Sequence, residues 1–165
     1  MKIKPEKTSS GFTLVELVAV MAIMAITAAI ATPNIIGWRL NRDFTTSLQR
    51  VISMMNSARM HAVKENTPTV IVFDLVENQF RAFVDTGKDR AWNPGEDALI
   101  GFYKIPNGVK IRKSTFKKTG KPAGRRYFSY NTHGVPTRAG SVELVSTRGR
   151  TNKVIVAVNG RIRTQ

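Results

Sequence analysis

The sequence predicts an α+β chain: a long N-terminal kinked helix, transmembrane in its first half, packed on an antiparallel β-sheet head. Three observations predict it. Leu17 to Trp38 is a run of 22 residues without a charge. Apolar residues then recur at spacings of three and four, through Leu40, Phe44, Leu48, Val51, Ile52, Met55, Ala58 and Ala62. Beyond Pro68 the pattern changes to short β-branched and aromatic runs divided by turn residues.

The uncharged run is long enough as a helix to cross a bilayer, at about 30 Å. Lys2, Lys4 and Lys7 flank it on one side and Arg39 and Arg42 on the other, so flanking charge alone does not orient it. Three readings fit: a permanent single-span anchor, a signal peptide cut after Ala29-Ile30-Ala31, or a short leader cut before the apolar run. Glu16 favours the third. A carboxylate at the edge of an apolar span is costly, and neither a plain anchor nor a signal peptide has a use for it. It becomes intelligible if it meets a positive charge inside an assembly. Pro33 removes one helix hydrogen bond and predicts a kink.

The second periodic segment is one face of an amphipathic helix that Thr67-Pro68 stops, so a single helix is expected from about Thr13 to Glu65. Strands are expected near 70–73, 80–84, 98–103, 109–112, 127–130, 141–146 and 153–158. Asn93-Pro94-Gly95, Pro106-Asn107-Gly108, His133-Gly134, Arg148-Gly149 and Asn159-Gly160 mark turns between them. The organisation is thus a leader at 1–11, a membrane or filament-core helix at 12–38, an amphipathic helix at 39–66 and a β-rich head at 67–165.

Charge is unevenly placed. The chain has a formal net charge of +15, yet residues 1–103 hold 11 Lys/Arg against 10 Asp/Glu, while residues 104–165 hold 15 Lys/Arg and one acid, Glu143. Such a bias points to a polyanionic partner or to a solvated basic face. Lys117, Lys118, Lys121, Arg125 and Arg126 crowd one loop-like stretch, with Arg112 and Lys113 before it. Arg148 and Arg150 crowd another, with Lys153 beyond, and Gly160-Arg161-Ile162-Arg163 ends the chain. Cations at this density match a phosphate backbone. Phe116, Tyr127 and Tyr130 are near enough in sequence to stack on bases, against core packing as the plainer role. In an extended tail Arg161 and Arg163 face one side and Ile162 the other.

Enzyme chemistry finds no support. There is no cysteine, no Gly-x-Ser-x-Gly and no phosphate-binding glycine loop, and the two histidines, His61 and His133, fall on a helix and in a turn. Asp85, Asp89 and Glu96 sit at positions 1, 5 and 12 of a calcium-loop template, but Gly87 and Arg90 occupy positions 3 and 6, where a ligand and a glycine belong. A solvated loop capped by Lys88 and Arg90 is the expectation, with no metal and no cofactor.

Gly11-Phe12-Thr13-Leu14-Val15-Glu16, followed by the apolar run, resembles the signature of type IV prepilins and type II secretion pseudopilins. The resemblance implies a prepilin peptidase that cuts between Gly11 and Phe12 and methylates Phe12. It also implies that Glu16 pairs with the terminal amine of a neighbouring subunit. The order of head features, from His61-Ala62 through Phe83-Val84-Asp85 and Pro106-Asn107-Gly108-Val109 to Val154-Ile155-Val156, is similar to GspH/FimT-type minor pilins and pseudopilins. That family implies inner-membrane anchoring with a periplasmic head, other pilins or pseudopilins as filament partners, and two alternatives for function. The first, which the basic C-terminal third and the tail favour, is a minor pilin of a type IV pilus that binds DNA for uptake through a Gly-Arg-x-Arg tail. The other is a structural minor pseudopilin of a type II secretion system. For the tail, an ordinary polar terminus or contacts to neighbouring subunits stand beside DNA.

Intact-mass measurement on membrane-extracted protein is expected to show a chain starting at Phe12 with one added methyl group, and poor processing of Gly11→Ala. A chain starting at Thr32 is the result that an ordinary signal peptide would give.

Overall fold

A computed structural model describes residues 11–118 and 124–165, with the side chains of residues 31–34 left aside. Helix α1 runs from Leu14 to Lys64, and nine strands follow: β1 (Thr69–Asp74), β2 (Gln79–Val84), β3 (Ala98–Lys104), β4 (Val109–Ser114), β5 (Lys117–Lys118), β6 (Arg125–Tyr130), β7 (Gly140–Ser146), β8 (Thr151–Val156) and β9 (Ile162–Thr164). The chain divides into two compact units, Met1–Arg39 and Leu40–Gln165.

The first unit is the N-terminal part of α1. Thr13 opens the helix: the Glu16 amide donates to the Thr13 hydroxyl at 3.2 Å, and the Thr13 amide donates back to the Glu16 carboxylate at 3.4 Å. This is a capping box, and it satisfies two amides that a helix start leaves bare. Along the span that follows, the apolar side chains from Leu14 to Ile30 are exposed, as a lipid-facing or filament-facing helix requires. The Thr27 hydroxyl donates to the Ile23 and Met24 carbonyls, both at 2.9 Å, so this polar group needs no outside partner. The helix assignment is continuous across Pro33. The kink that Pro33 predicts falls on residues 31–34, whose side chains lie outside the described ones.

The second unit is the head. Its α1 portion buries Phe44, Leu48, Val51, Met55, Ala58 and Ala62, the stripe that the sequence spacing marks. Asn66, in the left-handed region at φ 50°, ends the helix where Thr67-Pro68 forbids continuation. The strands form two antiparallel sheets rather than one. The first has the order β3-β2-β1-β6-β5 and the second β4-β7-β8-β9. Both inner faces join the helix stripe in one core, through Ile71, Phe73, Phe128 and Tyr130 of the first sheet and Val142, Leu144, Val154 and Val156 of the second. Phe73, Phe116, Phe128 and Tyr130 stack in sequence, with neighbouring centroids 4.4–5.8 Å apart.

Strand β1 is buried along its whole length. Its inner residues meet the helix core, and its outer residues, Val70 and Val72, form a second apolar cluster with Phe83, Tyr127 and Trp92. Trp92 belongs to the β2–β3 loop, so that loop folds back over the outer face and meets the Phe83 ring at 5.4 Å. This explains why the Val70-Ile71-Val72-Phe73 run is continuously apolar instead of alternating.

The end of β1 carries a buried acid. Asp74 accepts from the Val76 and Glu77 amides at 3.1 and 3.0 Å, which fixes the β1–β2 turn. Its other oxygen accepts from Arg125 Nε at 2.7 Å, across the register pair that joins β1 to β6. Burial alone would raise the Asp74 carboxyl, but the Glu77 amide, the Arg125 guanidinium and the Val76 amide outweigh it and hold the pKa below its ordinary value.

Because the folded pKa is depressed, this carboxylate stabilises the fold above the ordinary carboxyl range and stops doing so as pH falls through its folded value. Asp74→Asn is expected to lower stability near pH 7 by about 1–3 kcal/mol. In urea titrations of the detergent-solubilised chain, the gap between parent and variant should narrow steadily below about pH 4. A gap independent of pH would contradict an ionised Asp74 in the fold.

Candidate functional site

Two regions carry the sequence-derived candidates: the start of α1 and the basic surfaces of the head. At the first, Gly11 and Phe12 lie before the helix in exposed backbone, open to a peptidase. Glu16 is exposed in the first helical turn. Its capping box to Thr13 is a local role that sequence reasoning missed, although Thr-x-x-Glu ahead of an apolar run is its recognisable signal. The box leaves the carboxylate at the helix N-terminus, where the helix dipole favours an anion.

The basic candidates separate into three places. Arg161 and Arg163 lie on the β8–β9 hairpin at the edge of the second sheet. Arg163 pairs with Ile155 in the register, and the Ala157 amide donates to the Arg161 carbonyl at 3.0 Å. Both arginines are exposed and share the outward face, while Ile162 opposes the buried Val156. The alternation expected of an extended tail therefore holds. Gly160 is buried at φ +79°, and its amide donates to the Ala157 carbonyl at 2.9 Å. A turn followed by one left-handed residue builds this hairpin, and glycine takes that conformation without strain. A Cβ there would also lie 3.3 Å from the Arg59 guanidinium. Gly160 thus positions the arginines and offers a ligand no side chain. Lys153, half-buried, and Val158 share a shallow groove with Arg163 on this outward face.

Lys117 and Lys118 form β5, a two-residue strand at the outer edge of the first sheet, and both are exposed. They were expected in a loop; pairing of Lys117 with Tyr127 and of Lys118 with Arg126 makes them a strand. Lys121 lies outside the described residues. Arg125 and Arg126 are half-buried and not the exposed cations the sequence suggests. Arg125 is committed to Asp74, and Arg126 Nε is buried without a hydrogen-bond partner. The third place is the β7–β8 turn, where Arg148 and Arg150 are exposed around Gly149. Arg150 sits 5.0 Å over the Phe44 ring, a cation–π contact that ties the turn to α1.

The structure therefore places Lys153 beside Arg163 and sets the β5 lysines on a different sheet edge. Phe116, Tyr127 and Tyr130 are all buried and unavailable for stacking on bases. Burial pushes the Tyr130 hydroxyl up to about 12 against the opposing field of Arg59, in keeping with a core residue.

The acidic loop proves to be built rather than simply solvated. Asp85 and Asp97 are buried. The Asp97 carboxylate accepts from the Thr86 and Asn93 amides at 3.0 and 2.8 Å, Asp85 from the Arg90 amide at 3.1 Å, and Asp89 from the Ala91 amide at 2.8 Å. Lys88 and Arg90, both at positive φ, shape its turns. These carboxylates hold the loop to itself, and among the described residues no three acidic, histidine or cysteine side chains converge as a metal site would need. Of the histidines, His61 is exposed on α1, and His133 is exposed in its turn with Nδ1 3.4 Å from the Thr132 hydroxyl.

No curated protein matches the chain by sequence. A solved structure of the minor pseudopilin EpsH from the type 2 secretion system of Vibrio cholerae is similar in fold. Its TM-score is 0.55 at 12% identity, over 74% of this chain and 96% of that one. The type IV minor pilin FimU of Pseudomonas aeruginosa is also similar, with a TM-score of 0.52 at 9% identity over 76% of this chain and 90% of that one. Residues 7–32 match the prokaryotic N-terminal methylation motif, which with the long apolar helix marks a membrane-anchored prepilin. Residues 47–160 match the family described as type II transport protein GspH. With a methylation motif that runs into the first part of α1 and a GspH match over most of the head, the chain belongs to the GspH family of pilin-like structural subunits.

Proposed function

We propose that this chain is a minor pseudopilin of a type II secretion system, built into a short filament anchored in the inner membrane. The family match over residues 47–160 is the observation that carries this reading. The exposed apolar span of α1 supports it, because such a helix needs lipid before assembly and neighbouring helices afterwards. The head would face the periplasm, where a cysteine-free fold resting on one continuous core does not depend on redox conditions.

In this reading the peptidase removes residues 1–11 and methylates Phe12. The Glu16 carboxylate then meets the terminal amine of the next subunit. Glu16→Ala should still be inserted and processed, since losing a charge eases insertion, but it should be excluded from sheared or cross-linked filaments. Incorporation equal to the parent would end the pairing role. Glu16→Gln separates the two roles of this residue: it can keep the cap to the Thr13 amide while losing the charge.

A second reading, a type IV pilus subunit that binds DNA for uptake, is favoured by one observation: Arg161 and Arg163 are exposed at the β9 edge, with half-buried Lys153 beside Arg163. If four to six phosphates are contacted, log K for duplex DNA should fall with log salt at a slope of about −4 to −5. Arg161→Ala with Arg163→Ala should reduce that slope by about 1 to 2, equally for all sequences. Gel-shift titrations of the detergent-solubilised chain at two salt concentrations decide it. No binding at low salt, or an unchanged slope in the double variant, leaves the secretion reading alone.

A further inference from the structure

A cluster of guanidinium groups lies away from the chain terminus, on the outer face of the first sheet. The β2–β3 loop crosses this face with Trp92 packed on Phe83. Beside the loop it leaves a small cleft whose charged lining is Arg81 of β2, Arg90 of the loop, and Arg125 and Asp74 of the paired strands. Trp92 and Gln79 complete its walls.

The charges in this cleft do not balance. Asp74 is the single acid, and it is fully engaged with two turn amides and with Arg125 Nε at 2.7 Å. Among the described residues neither Arg81 nor Arg90 forms an ion pair. Each instead lies over an aromatic ring, Arg81 5.5 Å from the centroid of Phe102 and Arg90 5.7 Å from that of Tyr127. Such contacts hold a guanidinium in place while leaving its N–H edge free. Arg81 is also half-buried. Its pKa is lowered by that burial and then by the field of Arg125, which Asp74 only partly offsets. Three guanidiniums around one committed carboxylate form a site short of negative charge.

We propose that the cleft between β2, the β1–β6 pair and the Trp92 loop is an oxyanion-binding site, in which Arg81 and Arg90 grip a single phosphate or carboxylate group beside the Asp74–Arg125 pair. Planar guanidinium forks suit both groups through paired N–H contacts. Trp92 and Gln79 border a cleft too small for more than the charged group itself. The ligand is thus a terminal phosphate or a single acidic side chain, the latter carried by a neighbouring subunit. The inference does not depend on which filament the chain joins.

Trp92 supplies the readout. The chain has two tryptophans, so Trp38→Phe leaves Trp92 as the sole tryptophan in the detergent-solubilised full-length protein, excited at wavelengths where tyrosine does not absorb. Inorganic phosphate and acetate are titrated separately, with ionic strength held constant by chloride. The expected result is a saturable change in Trp92 emission and a parallel rise in unfolding temperature with at least one of the two. Tighter phosphate binding assigns the site to a phosphate-bearing ligand, and acetate binding as tight or tighter assigns it to a carboxylate side chain. Arg81→Gln should weaken binding about tenfold or more, the loss expected for a charge-assisted hydrogen bond. Arg161→Gln, on the other sheet, should change nothing. Should Arg81→Gln fail to fold, Arg90→Gln, altered at an exposed loop position, decides in its place. A response no different from that of chloride, or unchanged affinity in the folded arginine variant, overturns the proposal.

Discussion

The head depends on one stripe of α1. Phe44, Leu48, Val51, Met55, Ala58 and Ala62 lie at alternating spacings of four and three, and all are buried. Two antiparallel sheets, of five and four strands, place their inner faces in the same core as this stripe. Without it each sheet would present an uncovered apolar face to water, and neither has a second layer of its own. Burying such a face contributes roughly 25 cal/mol for each Å² removed from water, so covering both sheets with the helix stripe stabilises the head. The same helix continues as the apolar span that anchors the chain.

The first sheet adds a second constraint. Its central strand, β1, is apolar on both faces, so it needs cover on the side away from α1 as well. The β2–β3 loop provides it through Trp92. The acids of that loop, which in sequence look like cation ligands, serve to make it rigid: Asp97 and Asp89 accept from the loop's own amides and from Asn93. A buried carboxylate needs hydrogen-bond donors, and backbone amides supply them as a metal ion otherwise would. Asp85 is less well served. Its Oδ1 is buried without a partner, and burial, joined by the charges of Asp89 and Asp97, raises its pKa. The cover over β1 thus carries some strain of its own.

The surplus cations do not form one continuous surface. Strand pairing sends β5 to the edge of one sheet and β9 to the edge of the other. Arg125 and Arg150 are drawn into structural contacts with Asp74 and Phe44. Arg112 pairs with Glu143 at 3.3 Å, the one acid in the last third of the chain. The exposed cations are spread over separate places, among them the β9 edge, the β5 edge, the β7–β8 turn and the Trp92 side of the first sheet. The sheet edges are themselves protected against pairing with other strands. β5 and β9 are short, and β4 carries Lys110, Arg112 and Lys113 together with a bulge. Part of the positive charge therefore has a role in keeping the β-rich head soluble.

The sequence by itself determined the features that depend on local pattern. An uncharged run of 22 residues sets the span. A three-four spacing sets the buried face of α1, and Asn66 with Pro68 sets its end, which the structure places at Lys64. All seven expected strands are present, within two residues at nearly every end, because turn residues and β-branched runs act over a few positions. Strand β5 escaped notice because Lys117-Lys118 has no apolar pattern and pairs only because β6 lies beside it. Only the tertiary structure decided that the strands divide into two sheets, since pairing joins residues far apart in the chain, as Asp74 and Arg125 show. It also decided which cations are free. Arg125 and Arg163 read alike in sequence, yet one is half-buried against a carboxylate and the other faces solvent. Arg81 and Arg90, nine positions apart in a segment whose cations outnumber its acids by only one, come together only because the loop between β2 and β3 folds back over the sheet. Charge counted along a chain is a sum over neighbours in sequence, whereas the field at a site is a sum over neighbours in space.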